Sequence, residues 1–407
     1  MGLFSRTQKT LPDSPGPLSQ VLRERGYVYQ HSAPLEEITD GQKRTLYLGV
    51  DPTADSMHVG QLQGILVLRR FLEDGHKLII VVGAGTGMVG DPGGKSSERN
   101  LLSDAVVDAN AAALRKQFTQ LFGGARFTMV NNADWLRELN YMEFLRDIGK
   151  HFTVNEMVKR DSVRPRLETP DASISYTEFS YMLLQAYDYL YLHNKYRCDL
   201  QVGGSDQWGN IVSGADLIRK KTGDTAYALS WPLLTTRDGK KFGKSEGNAV
   251  WLDPSKTLPF QFYQFWINTN DEEVEQYLLK MTLLPKADIE KTMEEQRQDP
   301  SERTAQKKLA LEVTALVHGL DEAQRAKKAS EALFSKNASA AAAADIPAVP
   351  GGKLRHIVTD ISTSELRRLV AQGAVSSVIS GTKFDSIDAE IKNDTLRIGK
   401  NRFIKVE

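Results

Sequence analysis

The chain has 407 residues with 52 basic and 52 acidic side chains, so no overall field draws it toward nucleic acid or a membrane. Any RNA contact must therefore come from a local patch. Its one cysteine, Cys198, excludes an internal disulfide and a multi-cysteine zinc site. No apolar run reaches the ~20 residues that span a bilayer, and the basic start MGLFSRTQKT, expected to be ragged, lacks the apolar core of a signal peptide.

After an N-terminal segment (1–44), residues 45–235 alternate short β-rich runs with amphipathic stretches. TLYLGV (45–50), KLIIVV (77–82), RFTMV (126–130) and CDLQVG (198–203) read as strands. Residues 59–74, 104–122, 133–148, 175–192 and 206–221 read as helices. Such alternation predicts an α/β domain built on a parallel, Rossmann-like sheet, with ligands beyond the carboxyl ends of the strands. The unusual stretches fall at those ends: DPTADSMHVG, GAGTGMVGDPGG and GGSDQWGN. Residues 236–336 turn helical beyond a lysine-rich loop, giving a helical domain. NASAAAAADIPAVPGG (337–352) reads as a linker. The remainder, 353–407, reads as a small α/β domain in which ten basic residues stand against seven acidic, a net +3.

In DPTADSMHVGQLQG (51–64) a helix is expected to begin near Met57 with Ser56 as its N-cap. His58 and Gln61 then share a face, beside the unpaired N–H groups and dipole of a first turn that favours an anion. Gly60 clears space for a flat ligand, such as a base or ribose, against the backbone. Taken alone, a capping role explains the histidine equally well. GTGMVG (85–90) matches the dinucleotide fingerprint in form, but no acid follows at the distance a ribose-binding residue requires. GGKS (93–96) looks like the end of a phosphate-binding loop, yet Val89 stands where that motif's first glycine belongs. TTRDGKKFGKSEGNA (235–249) gathers Lys240, Lys241 and Lys244 among glycines. Lysines are point charges that neutralise a polyphosphate, although a lone lysine run is ordinarily a solvated loop.

Together these stretches match a family. HVGQ after YLGVDPTADSM, and KFGKS, resemble the HIGH and KMSKS signatures of class I aminoacyl-tRNA synthetases. With YTEFSYMLLQAYD (176–188) and VGGSDQWGN (202–210), the spellings resemble bacterial-type tyrosyl-tRNA synthetases over most of 45–270. Gln61 replaces the second signature histidine; it donates a hydrogen bond but carries no charge, so activity with altered ATP affinity or rate is expected. The resemblance implies that L-tyrosine attacks the α-phosphate of ATP and that the tyrosyl group then passes to the terminal adenosine of tRNA(Tyr). The substrate supplies its own nucleophile, so catalysis rests on positioning and charge stabilisation.

By the same resemblance, Thr53, His58 and Gln61 hold the polyphosphate from one side, and Lys241 and Lys244 close over it with Mg2+. Lys95 and Arg99 engage the leaving pyrophosphate. Tyr47 and Asp188 bind the phenol; Asp91, Tyr181 and Gln185 surround the ammonium. Tyr181, Gln185 and Asp188 recur at i, i+4 and i+7, one helix face. Gln207 contacts tyrosine and Asp206 the ribose, while Asp51 and Gly60 belong to the ATP site. Asn132 and Trp135 flank the pocket, and Trp208 is read as a core anchor. In 353–407, STSELRRLVAQGAVSSV and DTLRIGKNRFIKV resemble a small RNA-binding fold shared with a ribosomal protein, with Arg367 and Arg368 facing phosphates. A cytoplasmic homodimer follows from the same likeness, with ATP as substrate and no structural metal. A tryptophanyl enzyme is the nearest rival, disfavoured because Tyr47 and Asp188 suit a phenol. A nicotinamide-dependent dehydrogenase, suggested by GTGMVG, is the rival from another class, and a non-catalytic RNA-binding paralogue, hinted at by Gln61 alone, is the third.

Overall fold

The computed structural model describes residues 16–91, 102–160, 163–169, 173–234, 244–245, 248–334, 348–358, 361–378, 380–399 and 402–407. Six strands form the central sheet: β1 (Gln30–His31), β2 (Thr45–Val50), β3 (Lys77–Val82), β4 (Thr128–Asn131), β5 (Cys198–Gly204) and β6 (Tyr227–Trp231). Their order is β1-β6-β5-β2-β3-β4, parallel throughout except for β1. The chain winds outward from β2 through β3 to β4, then returns to the other side of β2 for β5 and β6. That reversal opens a crevice beyond the carboxyl ends of β2 and β5, the usual ligand position in such sheets.

The strand pleat sorts side chains into two cores. Leu46, Leu78, Ile80, Leu200 and Val202 face one way, packing with Leu62, Leu66 and Phe71 of the Val59–Glu73 helix and Phe118 of the Asp104–Leu121 helix. Their neighbours Tyr47, Ile79 and Val81 face the other way, toward Tyr189 and Leu217 of the Tyr176–Tyr196 and Trp208–Thr222 helices. Those two helices lie close because position 214 is glycine: a Cβ there would stand 2.8 Å from the Tyr189 ring. The N-terminal segment adds β1 to the sheet edge and ties the helical unit to it. Arg25 is buried and donates to the carbonyls of Leu279, Thr282 and Leu284 at 2.8, 2.9 and 2.5 Å, while the Tyr27 hydroxyl donates to Lys280 O at 2.9 Å. The Arg25 guanidinium and the Tyr27 hydroxyl thus satisfy carbonyls in the last turn of the Val274–Met281 helix and just beyond it.

The last residues build a four-stranded sheet from Val375–Ser377, Asp394–Ile398, Arg402–Val406 and Ala348–Val349, covered by the Thr363–Ala371 helix. Leu354, Leu366, Leu396 and Ile404 form its own core. Ala348–Val349 falls in the stretch expected as a linker, yet it pairs in parallel with the final strand; residues 335–347 lie outside the described residues.

Candidate active site

The Val59–Glu73 helix begins two residues later than expected, and His58, not Ser56, is its N-cap. Ser56 is spoken for: its hydroxyl accepts from Gln117 Nε2 at 2.9 Å and donates to Met57 O at 2.9 Å. His58 Nδ1 accepts the Gly60 N–H at 3.1 Å, and Gln61 Oε1 accepts the His58 N–H at 3.0 Å, a reciprocal capping box. A ring nitrogen that accepts a backbone N–H carries no proton, so the neutral imidazole holds its proton on Nε2. The expectation of unpaired backbone donors at this helix start is corrected too. Val59 N–H donates to Val250 O and Gln61 N–H to His58 O, both at 2.9 Å, so the first turn's backbone is satisfied. Donors to an anion here come from side chains: the imidazole Nε2–H and the amide NH2 of the exposed Gln61.

Deeper in the crevice, the Tyr47 hydroxyl is buried without a hydrogen-bond partner. Burial raises its pKa, and the carboxylate of Asp188 raises it further. Asp188 is itself buried; its Oδ1 accepts from Trp135 Nε1 at 2.7 Å and its Oδ2 from Asn132 Nδ2 at 2.9 Å. Burial nonetheless pushes its carboxyl up to about 7, with those two donors holding it back. Asn132 is the hinge pin of this end. It also donates to Thr86 Oγ1 and accepts the Gly85 N–H at 2.8 Å. A Cβ on Gly85 would lie 3.2 Å from Ala133 Cα. The fingerprint-like GTGMVG thus earns its first glycine by packing against the Asn132 turn.

Two further polar atoms are buried without partners, Gln185 Oε1 and Gln201 Oε1. Gln201 sits opposite Tyr47 in the β2–β5 register, on the same sheet face. Sequence reasoning missed it, although a glutamine inside a buried strand is a usable signal, since buried polar groups are normally paired. At the other end, Asp91 Oδ2 accepts from Gln207 Nε2 at 3.0 Å and from Asn210 Nδ2 at 3.4 Å. This joins the turn after β3 to the one after β5. Asn210 was also not foreseen.

Tyr181 is buried on the Tyr176–Tyr196 helix with Asp188, and Gln185 half-buried between them, as the i, i+4, i+7 spacing requires. Thr53 and Asp206 are exposed, Asp51 and Gly60 half-buried. Trp208 is only half-buried and joins none of the core clusters among the described residues, which corrects its reading as an anchor. Lys95, Arg99, Lys241 and the side chain of Lys244 lie outside the described residues; the Lys244 backbone pairs with Ala249. The residues just past that hairpin bond to the helix start: Leu252 N–H donates to Met57 O at 2.8 Å. Arg367 and Arg368 are exposed on their helix, Arg368 paired with Glu365 at 2.5 Å. No helix among the described residues is long and apolar enough to cross a membrane, and no group of three His, Cys, Asp or Glu side chains among them is placed to hold a metal.

A family described as tRNA synthetases class I (W and Y) matches residues 39–335, and the chain belongs to it. Within that class, relatives at 49% and 44% identity are tyrosine enzymes. The tyrosine--tRNA ligase of Roseiflexus castenholzii is 49% identical over 80% of this chain and 77% of its own length. That of Staphylococcus epidermidis is 44% identical over 96% of this chain and 98% of its own. Among solved structures, a C-terminally truncated mitochondrial tyrosyl-tRNA synthetase from Aspergillus nidulans matches with a TM-score of 0.70 at 34% identity, covering 79% of this chain and 95% of that one.

Proposed function

We propose a division of labour among these residues for the reaction of a tyrosine--tRNA ligase. The chain activates L-tyrosine with ATP, releasing pyrophosphate and forming tyrosyl-adenylate, then transfers the tyrosyl group to the 3'-terminal adenosine of tRNA(Tyr). The observation that carries the residue assignment is the unpartnered, buried Tyr47 hydroxyl set with Asp188 at the base of the crevice. A phenol entering there gives Tyr47 a partner and donates its own proton to the Asp188 carboxylate, whereas a phenylalanine ring leaves both unpaired. Asp91, Tyr181 and Gln185 receive the ammonium, with Gln207 holding Asp91 in place; Gln201 joins the lining. The carboxylate then faces the ATP α-phosphate.

At the phosphate end, His58 Nε2–H and the Gln61 amide donate from one side, beside Thr53. Gly60 and Asp51 line the nucleotide, Asp206 the ribose. Lys241 and Lys244 act from the other side, and Lys95 and Arg99 on the pyrophosphate that leaves. Magnesium accompanying ATP would add positive charge at the phosphates beside Lys241 and Lys244.

The tRNA is gripped by the basic C-terminal unit through Arg367 and Arg368. A second copy of the chain covers the apolar surface that Tyr141, Met142, Val154, Leu167 and Tyr176 leave exposed between residues 141 and 176. The setting is the cytoplasm. Exchange of labelled pyrophosphate into ATP tests the reading: it should require tyrosine. Exchange driven by tryptophan, or none with either amino acid, overturns it.

A further inference from the structure

His58 owes its place to more than the helix it caps. Residues 250–252, just past the lysine strip, run antiparallel to residues 57–59. Val59 N–H donates to Val250 O at 2.9 Å and Leu252 N–H to Met57 O at 2.8 Å, and His58 and Trp251 face each other as a bridge pair. Their rings meet edge-on, with centroids 6.2 Å apart and planes at 74°, the arrangement in which a ring's positive edge meets a negative face. The indole is held in turn. Its backbone N–H donates to Thr257 Oγ1 at 2.9 Å, and the Lys256 ammonium stands 5.2 Å from its ring centroid while pairing with Asp55. Asp55 belongs to the same turn as His58, and Lys256 to the same segment as Trp251. Backbone bonds, a ring contact and an ion pair therefore clasp one short stretch to the other.

The cap bond to Nδ1 is a single hydrogen bond of 3.1 Å, a soft restraint that still lets the imidazole rock about its side-chain torsions. A second contact on the ring stiffens that orientation, and with it the direction of Nε2–H. We propose that Trp251 is a positioning residue, which with the Lys256–Asp55 pair orients the His58 imidazole toward the phosphates of ATP. It touches neither substrate itself. The inference rests on the reading of His58 as a phosphate donor, and its test separates the two.

Histidine labelled with nitrogen-15, with the His58 signals assigned by their loss in His58→Ala, should show a single Nε2–H tautomer in the native protein. Trp251→Ala should shift and broaden those signals as the ring begins to rock, while the tautomer, set by the Nδ1 cap bond, stays Nε2–H. In tyrosine-dependent pyrophosphate exchange, Trp251→Ala should lower kcat about tenfold with the KM for tyrosine unchanged. In a His58→Ala background the same change should cost less than about twofold, because a residue acting through another loses its effect when that other is gone. A tenfold loss in both backgrounds, or imidazole shifts that do not move, overturns the proposal. Should Trp251→Ala fail to fold, Lys256→Met keeps the indole and removes the cation; a loss of about threefold that vanishes in the His58→Ala background supports the proposal, and one that persists there overturns it. If His58→Ala leaves exchange intact while Trp251→Ala still shifts the imidazole signals, the phosphate role of His58 fails and its positioning by Trp251 stands.

Discussion

Replacing Asp188 with asparagine separates the charge of the phenol site from its shape. In the ligand-free protein, burial pushes this carboxyl up to about 7, whereas in the unfolded chain it titrates near about 3.9. Between about pH 4 and pH 7 the folded chain holds a proton that the unfolded chain has released. Stability therefore falls as pH rises through that window, and the loss is complete above about pH 7. About three units at about 1.36 kcal/mol each set its ceiling near 4 kcal/mol. Asparagine does not titrate, but it turns an NH2 toward a donor, Trp135 Nε1–H or the Asn132 amide, at a pH-independent cost of about 1–3 kcal/mol. The assay is urea unfolding of both proteins without tyrosine from pH 4 to 8. The stability of Asp188→Asn relative to the native protein should begin negative and climb by up to about 4 kcal/mol across the range. A difference that stays level refutes the argument that burial destabilises the ionised carboxylate. With tyrosine present, affinity for the native protein should rise with pH up to about 7, since the phenol donates to the ionised form. The variant should lose that trend and roughly 10- to 150-fold of its preference over phenylalanine, the worth of a hydrogen bond to a charged group.

Lys241→Ala combined with Lys244→Ala should lower kcat in pyrophosphate exchange while the tyrosine Kd stays within about twofold, as expected of charges used only in the transition state. An equal loss in tyrosine binding makes the strip structural. Arg367→Ala with Arg368→Ala should raise the KM for tRNA and flatten the salt dependence of tRNA binding by roughly 0.7 for each phosphate no longer neutralised, leaving tyrosine-dependent exchange untouched. Unchanged charging of tRNA across salt concentrations removes that helix from the RNA surface.

How much of this was readable in the sequence varies with how local the cause is. The runs TLYLGV and KLIIVV are β-rich and bounded by turn residues, and β2 and β3 match them residue for residue. YALSW carries two small residues and no clear alternation, so β6 went unseen; its place is set by pairing with β5. The two residues of β1 form a strand only because β6 is there to pair with them. The site divides in the same way. Motif residues such as Asp188 and Tyr181 were suggested by the family resemblance, and their spacing placed them on one helix face. The Trp135 and Asn132 bonds to Asp188 join residues 53 and 56 positions apart and exist only in the folded sheet. The N-cap slipped from Ser56 to His58 for a similar reason: Gln117, 61 residues away, claims the serine hydroxyl.

The helix start also shows why glutamine serves at position 61. Its backbone donors are spent, so a phosphate must be met by side chains, while the His58 N–H still needs an acceptor three residues on. Position 61 thus calls for one acceptor turned inward and one donor turned outward. Glutamine supplies both, Oε1 to His58 N–H at 3.0 Å and an exposed NH2. A neutral histidine offers the same acceptor–donor pair on one ring. Glutamate keeps the acceptor but sets a negative charge where phosphate must come, and leucine keeps neither. Gln61→Glu should therefore hold its thermal midpoint while the KM for ATP rises about tenfold or more, about 1.4 kcal/mol of binding lost. Gln61→Leu should lose about 1 kcal/mol of stability as well, the usual worth of a cap. Gln61→His should fall nearest the native protein in both measurements. If instead Gln61→Leu binds ATP as well as the native chain, the amide is a cap alone, and the phosphate at this helix rests on His58.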